Sequence, residues 1–427
     1  MKIGLVTQWY APEPVFIAGN LADELAARGH EVKVLTAFPN YPTGRTYPGF
    51  RQRWRHVERG GGPTVRRVPI YPSHDASAAR RAANLISFAA TSLAAAPRFL
   101  SGVDVVYVFS PPPTAYAAPA LLRLLRGVPA LLHVQDMWPE SVTGSAMAPG
   151  GVVGRLLGRG ISGVMRRIYH SATQIAVISP SMADLVIDRG ADPTKVRVVW
   201  NWTDETLFRP ARATAGDLAA IGHRGRPVVM FAGNLGPLQR VSTAVRAAAA
   251  AGPVLDLVFV GSGNEEAAAR RLAAELGVDN VRFLGRRTPE EMAGLYAAAD
   301  YQLVTLRDMP GLRGTVPSKL QAALASGAPV IISANGDCAD LVATSGAGLA
   351  SPAEDVAALA AQFRRAAALS EEARAAMSRR ALAVYRERMS LRVGADHIED
   401  MLLKMDRRSG KALSRRRSSS TAAGGDS

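Results

Sequence analysis

Short apolar runs alternate with longer helical patterns along most of the chain, and this alternation constrains the fold more than any other feature. Residues 2–6 (KIGLV) and 31–37 (EVKVLTA) predict buried strands. The segment 20–30 between them predicts an amphipathic helix that ends at Gly29. Because repeated strand–helix–strand units form parallel sheets, the pattern predicts an α/β protein.

The pattern runs through the first half of the chain and then restarts. The further strands predicted in the first half are 104–110, 129–135, 174–179 and 195–201. Those predicted in the second half are 226–234, 255–264, 281–285, 300–306 and 330–332. We therefore expect two α/β domains of similar size, at residues 1–205 and 206–390, because 427 residues exceed one ordinary core.

Charge and cysteine content narrow the class of partner and the compartment. The formal net charge of +15 indicates an anionic partner, which composition alone leaves open among nucleic acid, an anionic membrane and phosphorylated ligands. Cys338 is the single cysteine, which suits a reducing cytoplasm. The N-terminus reads as a strand rather than a signal peptide, and no apolar run reaches the length of a membrane span.

Glycine-containing turns follow two predicted strands of the second half. Gly233 and Asn234 follow one strand, with Gln239 and Arg240 opening the next helix, while Gly261 and Gly263 follow the next strand. Ligands of open parallel sheets bind beyond the carboxyl ends of strands, and glycine lets backbone amides approach them closely. Together the two turns predict a nucleotide or phosphate pocket.

The stretch TVPSKLQAALASGAPVIIS, residues 315–333, predicts a helix beginning near Ser318 and ending at Gly327, followed by a strand. Lys319 stands in the first turn, where the helix dipole disfavours a cation. A bound phosphate group would make this lysine favourable, since it would add a charge to the helix amides. Arg313 lies just upstream and Gln321 two residues further on. The alternative is a solvated surface lysine.

His133 and Asp136 are predicted just after an apolar strand, in the segment HVQDMWPES. The histidine suits hydrogen bonding, general base catalysis or metal binding, but no further ligands stand at convincing spacing. The alternative is a histidine satisfied within the protein. The chain also lacks a phosphate-binding G-x-x-x-x-G-K-[ST] loop, a G-x-S-x-G elbow and an Asp-x-Asp pair. We therefore expect no metal, so that cations and helix starts would neutralise a bound diphosphate.

These segments resemble the GT-B glycosyltransferases of the large retaining group called family 4, and more narrowly the N-acetylfucosaminyltransferase-like subgroup of bacterial polysaccharide synthesis. The resemblance covers the chain before its tail and is carried by FPNYPTGRTYPGF, HVQDMWPES, VVWNWTD, FAGNLG, VFVGSGNEE, VRFLGRRTPEEM and VPSKLQAALASGAPVI. It implies two Rossmann-like domains facing across a cleft, with a last helix at 391–406 returning to the first domain. It also implies transfer of a sugar with retained configuration from a nucleotide diphosphate, UDP by resemblance, to a saccharide or lipid-linked acceptor, without cofactor or metal.

Residue roles follow from the resemblance, position by position. His133 matches a histidine beside the donor sugar, and we place Lys319 and Asp136 with it among the catalytic candidates. The Gly233 turn matches a diphosphate-contacting segment, and Gly285 with Arg286 matches the segment around the base. The remaining nucleotide-sugar candidates are Asn234, Gln239, Arg240, Gly261, Gly263, Arg313, Ser318, Lys319 for the diphosphate and Gln321 for the ribose.

The chain departs from the family at four of these positions. Arg313 and Gln321 stand where the broad family has two glutamates, and Asn234 and Gln239 stand where it often has Arg and Lys. Arg240, Arg313 and Lys319 could replace the missing positive charge. The lost glutamates leave a non-catalytic nucleotide- or saccharide-binding relative as an alternative.

The basic first half suggests a partner surface. Aromatic and apolar residues lie among and after its arginines, which are Arg45, Arg51, Arg53, Arg55, Arg59, Arg66, Arg67, Arg80 and Arg81. This suits a cytoplasmic protein resting on the anionic inner face of the plasma membrane. The basic tail 407–427 is predicted to be disordered, and either solubilising or attached to lipid. A nucleic-acid-binding protein is the less favoured alternative, because no reader motif is present and the charge is spread over both domains.

Overall fold

The computed structural model describes residues 1–74, 77–140 and 151–406, without the side chains of 151–153. The chain divides into two compact units. The first unit comprises Met1–Ile178, Met182–Val199 and the chain from Gly394 onwards, and the second comprises Ser179–Ser181 and Trp200–Val393. The predicted basic tail 407–427 lies outside the described residues.

The first unit is built on an eight-stranded sheet. Its strands are β1 (Lys2–Val6), β2 (Glu31–Ala37), β3 (His56–Glu58), β4 (Thr64–Val68), β5 (Val105–Ser110), β6 (Ala130–Val134), β7 (Gln174–Val177) and β8 (Val196–Val198). Their order is β3-β4-β2-β1-β5-β6-β7-β8, and every neighbouring pair is parallel except β3 with β4. The chain therefore changes direction across the sheet between β1 and β5, which makes their carboxyl ends a topological switch point.

Helices cover this sheet and bury its apolar side chains. They are α1 (Phe16–Ala27), α2 (Ala78–Phe99), α3 (Ala117–Arg126), α4 (Gly151–Ser171) and α5 (Pro180–Asp188). Phe88 of α2, Leu122 of α3 and Tyr169 of α4 pack in one core with Val106 and Leu132 of the central strands. This core is what holds α2, α3 and α4 against one side of the sheet.

The second unit has a six-stranded parallel sheet in the order β11-β10-β9-β12-β13-β14. The strands are β9 (Val228–Ala232), β10 (Asp256–Val260), β11 (Val281–Gly285), β12 (Tyr301–Thr305), β13 (Val330–Ser333) and β14 (Gly348–Ser351). The helices are α6 (Ala215–Ile221), α7 (Val241–Ala251), α8 (Glu266–Glu275), α9 (Pro289–Ala298), α10 (Ser318–Ala325), α11 (Asp337–Ser345), α12 (Val356–Ala368) and α13 (Glu371–Val384). Its switch point lies between β9 and β12.

Local sequence signals set several helix ends of the second unit. Thr288 accepts a hydrogen bond from the Glu291 backbone while Glu291 accepts one from the Thr288 backbone, which is a capping box at the start of α9. The helix α10 starts directly after Pro317, and Gly327 beyond its end has a φ of 68°. A residue with φ in this left-handed region is most often glycine, so Gly327 explains why the helix stops there.

A π-helical turn at Tyr385–Met389 leads into the last helix, α14 (Leu391–Met405), most of which belongs to the first unit. Arg28 and His30 follow α1 and contact Glu399 of α14. Arg28 Nη1 and His30 Nε2 each lie 2.7 Å from an oxygen of the Glu399 carboxylate. Two distant parts of the chain therefore close one domain.

The predicted fold class of two Rossmann-like α/β domains is confirmed, and several single elements are corrected. The first helix begins at Phe16 rather than at residue 20. The strands β3, β4 and β14 were not predicted. Arg67, predicted on the basic surface, is instead 2% exposed and bonded through Nε to Glu58 at 2.6 Å. No helix in the described ranges is long and apolar enough to cross a membrane.

Candidate active site

Three loops at the switch point of the second unit are joined by backbone hydrogen bonds. The Gly233 amide donates to the Val260 carbonyl at 2.9 Å, and the Leu235 amide donates to the Ser262 carbonyl at 3.0 Å. The Gly261 amide in turn donates to the Gly285 carbonyl at 2.8 Å. The loops after β9, β10 and β11 therefore form one continuous edge, which brings together the predicted turns.

Glycine is required where these loops touch. A Cβ on Gly261 would clash with the Gly233 carbonyl oxygen, and one on Gly263 would clash with the Leu235 carbonyl. Gly261 also has a φ of 129°, a conformation that L side chains rarely adopt. Glycine at these two positions therefore allows the loops after β9 and β10 to lie in contact.

Lys319, in the first turn of α10, reaches back to the loop after β9. Its Nζ lies 3.6 Å from the position of a Cβ on Gly233 and 3.3 Å from the centroid of the Phe231 ring. The ammonium group is buried and has no hydrogen-bond partner among the described residues. Burial therefore lowers the pKa of Lys319 to about 7. An anion between α10 and the Gly233 loop would supply the missing partner.

The three arginines of this unit that were predicted to bind the donor differ in the contacts that they make. Arg240 forms an ion pair from Nε to Glu354 at 2.6 Å, and its backbone has a φ of 43°. Arg286 donates from Nε to the Ser262 hydroxyl at 2.5 Å, so it lies on the edge formed by the loops. Arg313 is exposed, and its carbonyl accepts from the Asp337 amide at 2.9 Å. The Arg240 side chain thus already pairs with a carboxylate, and its role in replacing a missing charge stays a prediction.

The remaining predicted residues occupy the same carboxyl edge of the sheet. Asn234 and Gln239 both lie near Gly236, within 3.0 Å of the position of a Cβ there. The Thr305 hydroxyl at the end of β12 donates to the Gln239 carbonyl, which fixes this loop across the switch point. Ser318 is exposed at the start of α10, whereas Gln321 is 3% exposed on the inner side of the helix.

In the first unit, His133 lies inside β6, within the predicted strand 129–135. Its side chain is fully buried, and Nδ1 is 2.7 Å from the Tyr107 hydroxyl. Its Nε2 is buried without a hydrogen bond of good geometry to a described residue. Burial lowers the pKa of His133 to about 3, although the Val199 backbone acts to raise this pKa. The imidazole is therefore neutral at physiological pH and has no direct access to solvent.

Asp136 lies two residues beyond the end of β6 and is exposed to solvent. Desolvation by the surrounding protein nevertheless raises the pKa of its carboxyl. The same carboxyl contributes to a raised pKa of Tyr41, behind the larger effect of that phenol's own burial, so the two groups are close. Tyr41 also packs against Trp9, with 5.1 Å between ring centroids. Asp136 and two aromatic rings thus mark the carboxyl edge of the first sheet.

Several residues that organise these sites were missed. Glu13 is 4% exposed and accepts hydrogen bonds from the backbone amides of Tyr10, Asn40 and Tyr41, which ties the loops after β1 and β2 together. Tyr107 and Phe231 were missed because each lies within an apolar strand pattern. Only the position of Glu13 between two prolines in the first strand-end turn could have pointed to a special role. No group of three or more His, Cys, Asp or Glu side chains in the described ranges is arranged to hold a metal ion.

Two family models match successive parts of the chain. Residues 15–202 match the glycosyl transferase 4-like domain, and residues 219–383 match glycosyl transferases group 1. WcaI of Escherichia coli (strain K12), whose name provisionally assigns it to colanic acid biosynthesis as a glycosyl transferase, is 28% identical over 351 residues. That alignment covers 78% of this chain and 83% of WcaI.

Solved structures share the fold at low sequence identity. Sucrose-phosphate synthase of Thermosynechococcus elongatus superposes with a TM-score of 0.70 at 19% identity, covering 95% of this chain and 98% of that one. HepE of Anabaena in complex with UDP superposes with a TM-score of 0.68 at 16% identity, covering 95% and 100%. With two parallel α/β domains and a glycosyl transferase model matched to each, the chain is a glycosyltransferase of the GT-B type.

Proposed function

We propose that this chain is a retaining glycosyltransferase that moves a sugar from a UDP-sugar to a saccharide or lipid-linked acceptor in cell-surface polysaccharide synthesis. The observation that carries the proposal is Lys319, whose buried ammonium group has no hydrogen-bond partner in the described part of the chain and lies beside a glycine loop and a helix start. The name of WcaI and the UDP bound in HepE support the pathway class and the nucleotide.

The diphosphate would bind between the start of α10 and the loops at Gly233 and Gly261. Lys319 and the free amides at the helix start would neutralise the charge that develops on the leaving nucleotide. Electrostatic stabilisation of this kind usually contributes more to catalysis than any other single effect, and removing one such donor typically costs about 10²–10³ in rate.

The nucleoside would lie along the same edge of the second sheet. Gly285 and Arg286 would border the base, with Arg286 held in place by Ser262. Gln321 would bond the ribose as a neutral substitute for a carboxylate, since an amide can donate as well as accept. Arg313 would provide an exposed charge toward the diphosphate. Arg240 would stabilise the loop through Glu354 rather than contact the donor.

The first unit would bind the acceptor at the edge marked by Asp136. An exposed carboxylate with a raised pKa can accept a proton from a sugar hydroxyl more readily than an ordinary aspartate. His133 would fix the end of β6 through its bond to Tyr107 and so position Asp136. We propose a cytoplasmic protein, peripheral on the inner face of the plasma membrane, because its exposed arginines suit anionic lipid.

The donor proposal is tested by thermal shift with UDP-, GDP-, ADP- and TDP-sugars on the full chain. A bound nucleotide stabilises the native state in proportion to RT ln(1 + [L]/Kd), so the correct donor class should raise the midpoint at the lowest concentration. UDP-sugars are expected to rank first. No shift with any of the four would contradict the proposal. A shift with no transfer or hydrolysis would favour a non-catalytic relative.

A further inference from the structure

The first unit contains an apolar groove that the proposed donor site does not use. It has a volume of about 750 Å³ and runs between α4 and the start of α3. Ala120, Trp138, Leu157, Gly160, Val164 and Ile168 are among the residues that line it. A groove of this volume is within the range of ligand sites and well above an ordinary packing defect.

Large apolar side chains around the groove are exposed. Leu156, Leu157 and Val164 of α4 line the groove and are 59%, 42% and 52% exposed. Singly exposed leucines are ordinary, whereas an exposed set beside an apolar groove indicates a binding surface. The lining offers almost no hydrogen-bonding groups, so a saccharide or nucleotide would be poorly matched there, and a hydrocarbon would fit.

The helices that border the groove carry charge of one sign. Every charged side chain on α2, α3 and α4 is an arginine, and these are Arg80, Arg81, Arg98, Arg123, Arg126, Arg155, Arg159, Arg166 and Arg167. A hydrocarbon-binding groove within an arginine-only surface is complementary to an amphiphile with an anionic head group.

The groove begins at the edge of the sheet where the acceptor would bind. Pro113 and Thr114 line it just after β5, and Trp138 lines it just after β6, two residues from Asp136. A ligand chain in the groove would therefore leave its head group near Asp136.

We propose that this groove holds the hydrocarbon chain of a lipid-linked acceptor, a saccharide attached through phosphate to an apolar chain. The inference rests on the proposed function and narrows its acceptor to a lipid. The protein would hold the acceptor by its hydrocarbon part. Arginines would contact the phosphate, and the sugar would reach the carboxyl edge beside Asp136.

The test uses the full chain and monomeric octyl, decyl and dodecyl phosphate as probes, with inorganic phosphate as the head group alone. Each buried pair of methylene groups should lower Kd roughly tenfold. A dodecyl phosphate brominated along its chain should quench the fluorescence of Trp138, and Trp138→Phe should remove that part of the quenching. Equal affinity for inorganic and dodecyl phosphate, or affinity independent of chain length, would overturn the proposal.

Two glycines of α4 provide matched variants. Gly160 lines the groove and Gly163 does not, while both are exposed and have open space where a Cβ would lie. Gly160→Glu should weaken dodecyl phosphate binding at least tenfold, because it places a carboxylate in the groove. Gly163→Glu adds the same charge and should change Kd by less than about threefold. Equal effects of the two variants would mean that only surface charge attracts the probe, and would overturn the proposal.

Further measurements distinguish a failure of this inference from a failure of the proposed function. They also distinguish a bound lipid from another occupant of the groove. The thermal shift produced by UDP should be the same in Gly160→Glu as in the unaltered chain. If UDP binds but chain length has no effect, the lipid inference fails and the donor proposal stands. If dodecyl phosphate binds but no nucleotide does, the donor proposal fails. A dimer that Gly160→Glu dissociates, with no effect of chain length, would assign the groove to a second copy and overturn the inference.

Discussion

At the scale of single residues, the proposed role of Lys319 in binding a diphosphate comes at the expense of stability. Its ammonium group lies over the Phe231 ring at 3.3 Å, which offsets only part of the lost hydration. A buried cation without hydrogen bonds is normally selected against, so its presence needs a functional reason. A nucleotide diphosphate at the start of α10 provides one.

Lys319→Met should therefore make the free protein more stable at pH 6.5, by a few kcal/mol. The folded pKa of Lys319, about 7, lies below its unfolded value. The buried charge therefore lowers the free energy of unfolding by its full amount below pH 7. This cost disappears as the pH rises from 7 toward the unfolded pKa. Urea unfolding midpoints of both proteins at pH 6.5 and 9.5 should thus converge at the higher pH. A variant that is less stable at pH 6.5 would contradict this account.

His133 predicts a pH dependence of the same sign as that of Lys319, but in a lower pH range. Its folded pKa of about 3 lies below the unfolded value, so the unfolded chain binds more protons between these two values and stability falls as the medium is acidified. His133→Asn should cost about 1–3 kcal/mol at pH 7.5, because it disrupts the bond to Tyr107. Unfolding curves of the two proteins should converge between pH 6.5 and 5. A difference that stays constant with pH would mean that the histidine is not buried as a neutral group.

At the scale of elements, the proposed donor site depends on loops that must lie in contact. The loops after β9 and β10 approach so closely that Gly261 leaves no room for a Cβ beside the Gly233 carbonyl. Hydrogen bonds from the Gly233, Leu235 and Gly261 amides hold these loops together along one edge. A rigid edge of this kind reduces the ordering that a bound nucleotide must impose.

Gly261→Ala should separate these loops, with a loss of about 2–4 kcal/mol in stability and no measurable UDP binding. Gly277→Ala is the matched control, since Gly277 also has a positive φ, 62°, but has open space where a Cβ would lie. The control should lose about 1 kcal/mol and keep UDP binding. Thermal shift with and without UDP measures both effects. Equal losses in the two variants would show that loop contact is unimportant.

Sequence patterns predict strands with a continuous apolar run well, and strands interrupted by charged residues poorly. The strands β1, β2 and β11 were predicted to the residue because each is a short, largely apolar run bounded by polar or turn residues. The strand β4 was missed because Arg66 and Arg67 interrupt its apolar pattern, and burial of Arg67 depends on Glu58, which lies in another strand. Lys319 was singled out by its place in the first turn of a helix, but its contact with Phe231 comes from tertiary packing that no local pattern contains.

At the scale of the whole molecule, the end of the chain completes the first domain. Glu399 of α14 accepts bonds from Arg28 and His30, which lie near the N-terminus. Burial raises the pKa of Glu399, but the bonds from His30 and Arg28 outweigh it, so the pKa is lowered overall. The first unit therefore depends on residues that follow the whole second unit in sequence.

Glu399→Gln should destabilise the first unit by about 1 kcal/mol at pH 7, since it removes a partly buried charge from both partners. The lowered folded pKa means that this contribution is present above the unfolded pKa and is lost as the pH falls through the folded value. The stability difference from the unaltered chain should therefore shrink toward pH 3.5. Glu387→Gln, at an exposed position in the second unit, is the control and should have no effect. A difference that persists at low pH would contradict the ion-pair account.

Calorimetric titration of UDP into the full chain, compared with Lys319→Met, tests the central claim most directly. Lys404→Met, which removes an exposed charge from α14, is the matched control. We predict that Lys319→Met weakens UDP binding roughly 30-fold or more, although the variant is the more stable protein, and that Lys404→Met leaves Kd unchanged. Equal Kd values for the unaltered chain and Lys319→Met, or no UDP binding by the unaltered chain, would contradict the account.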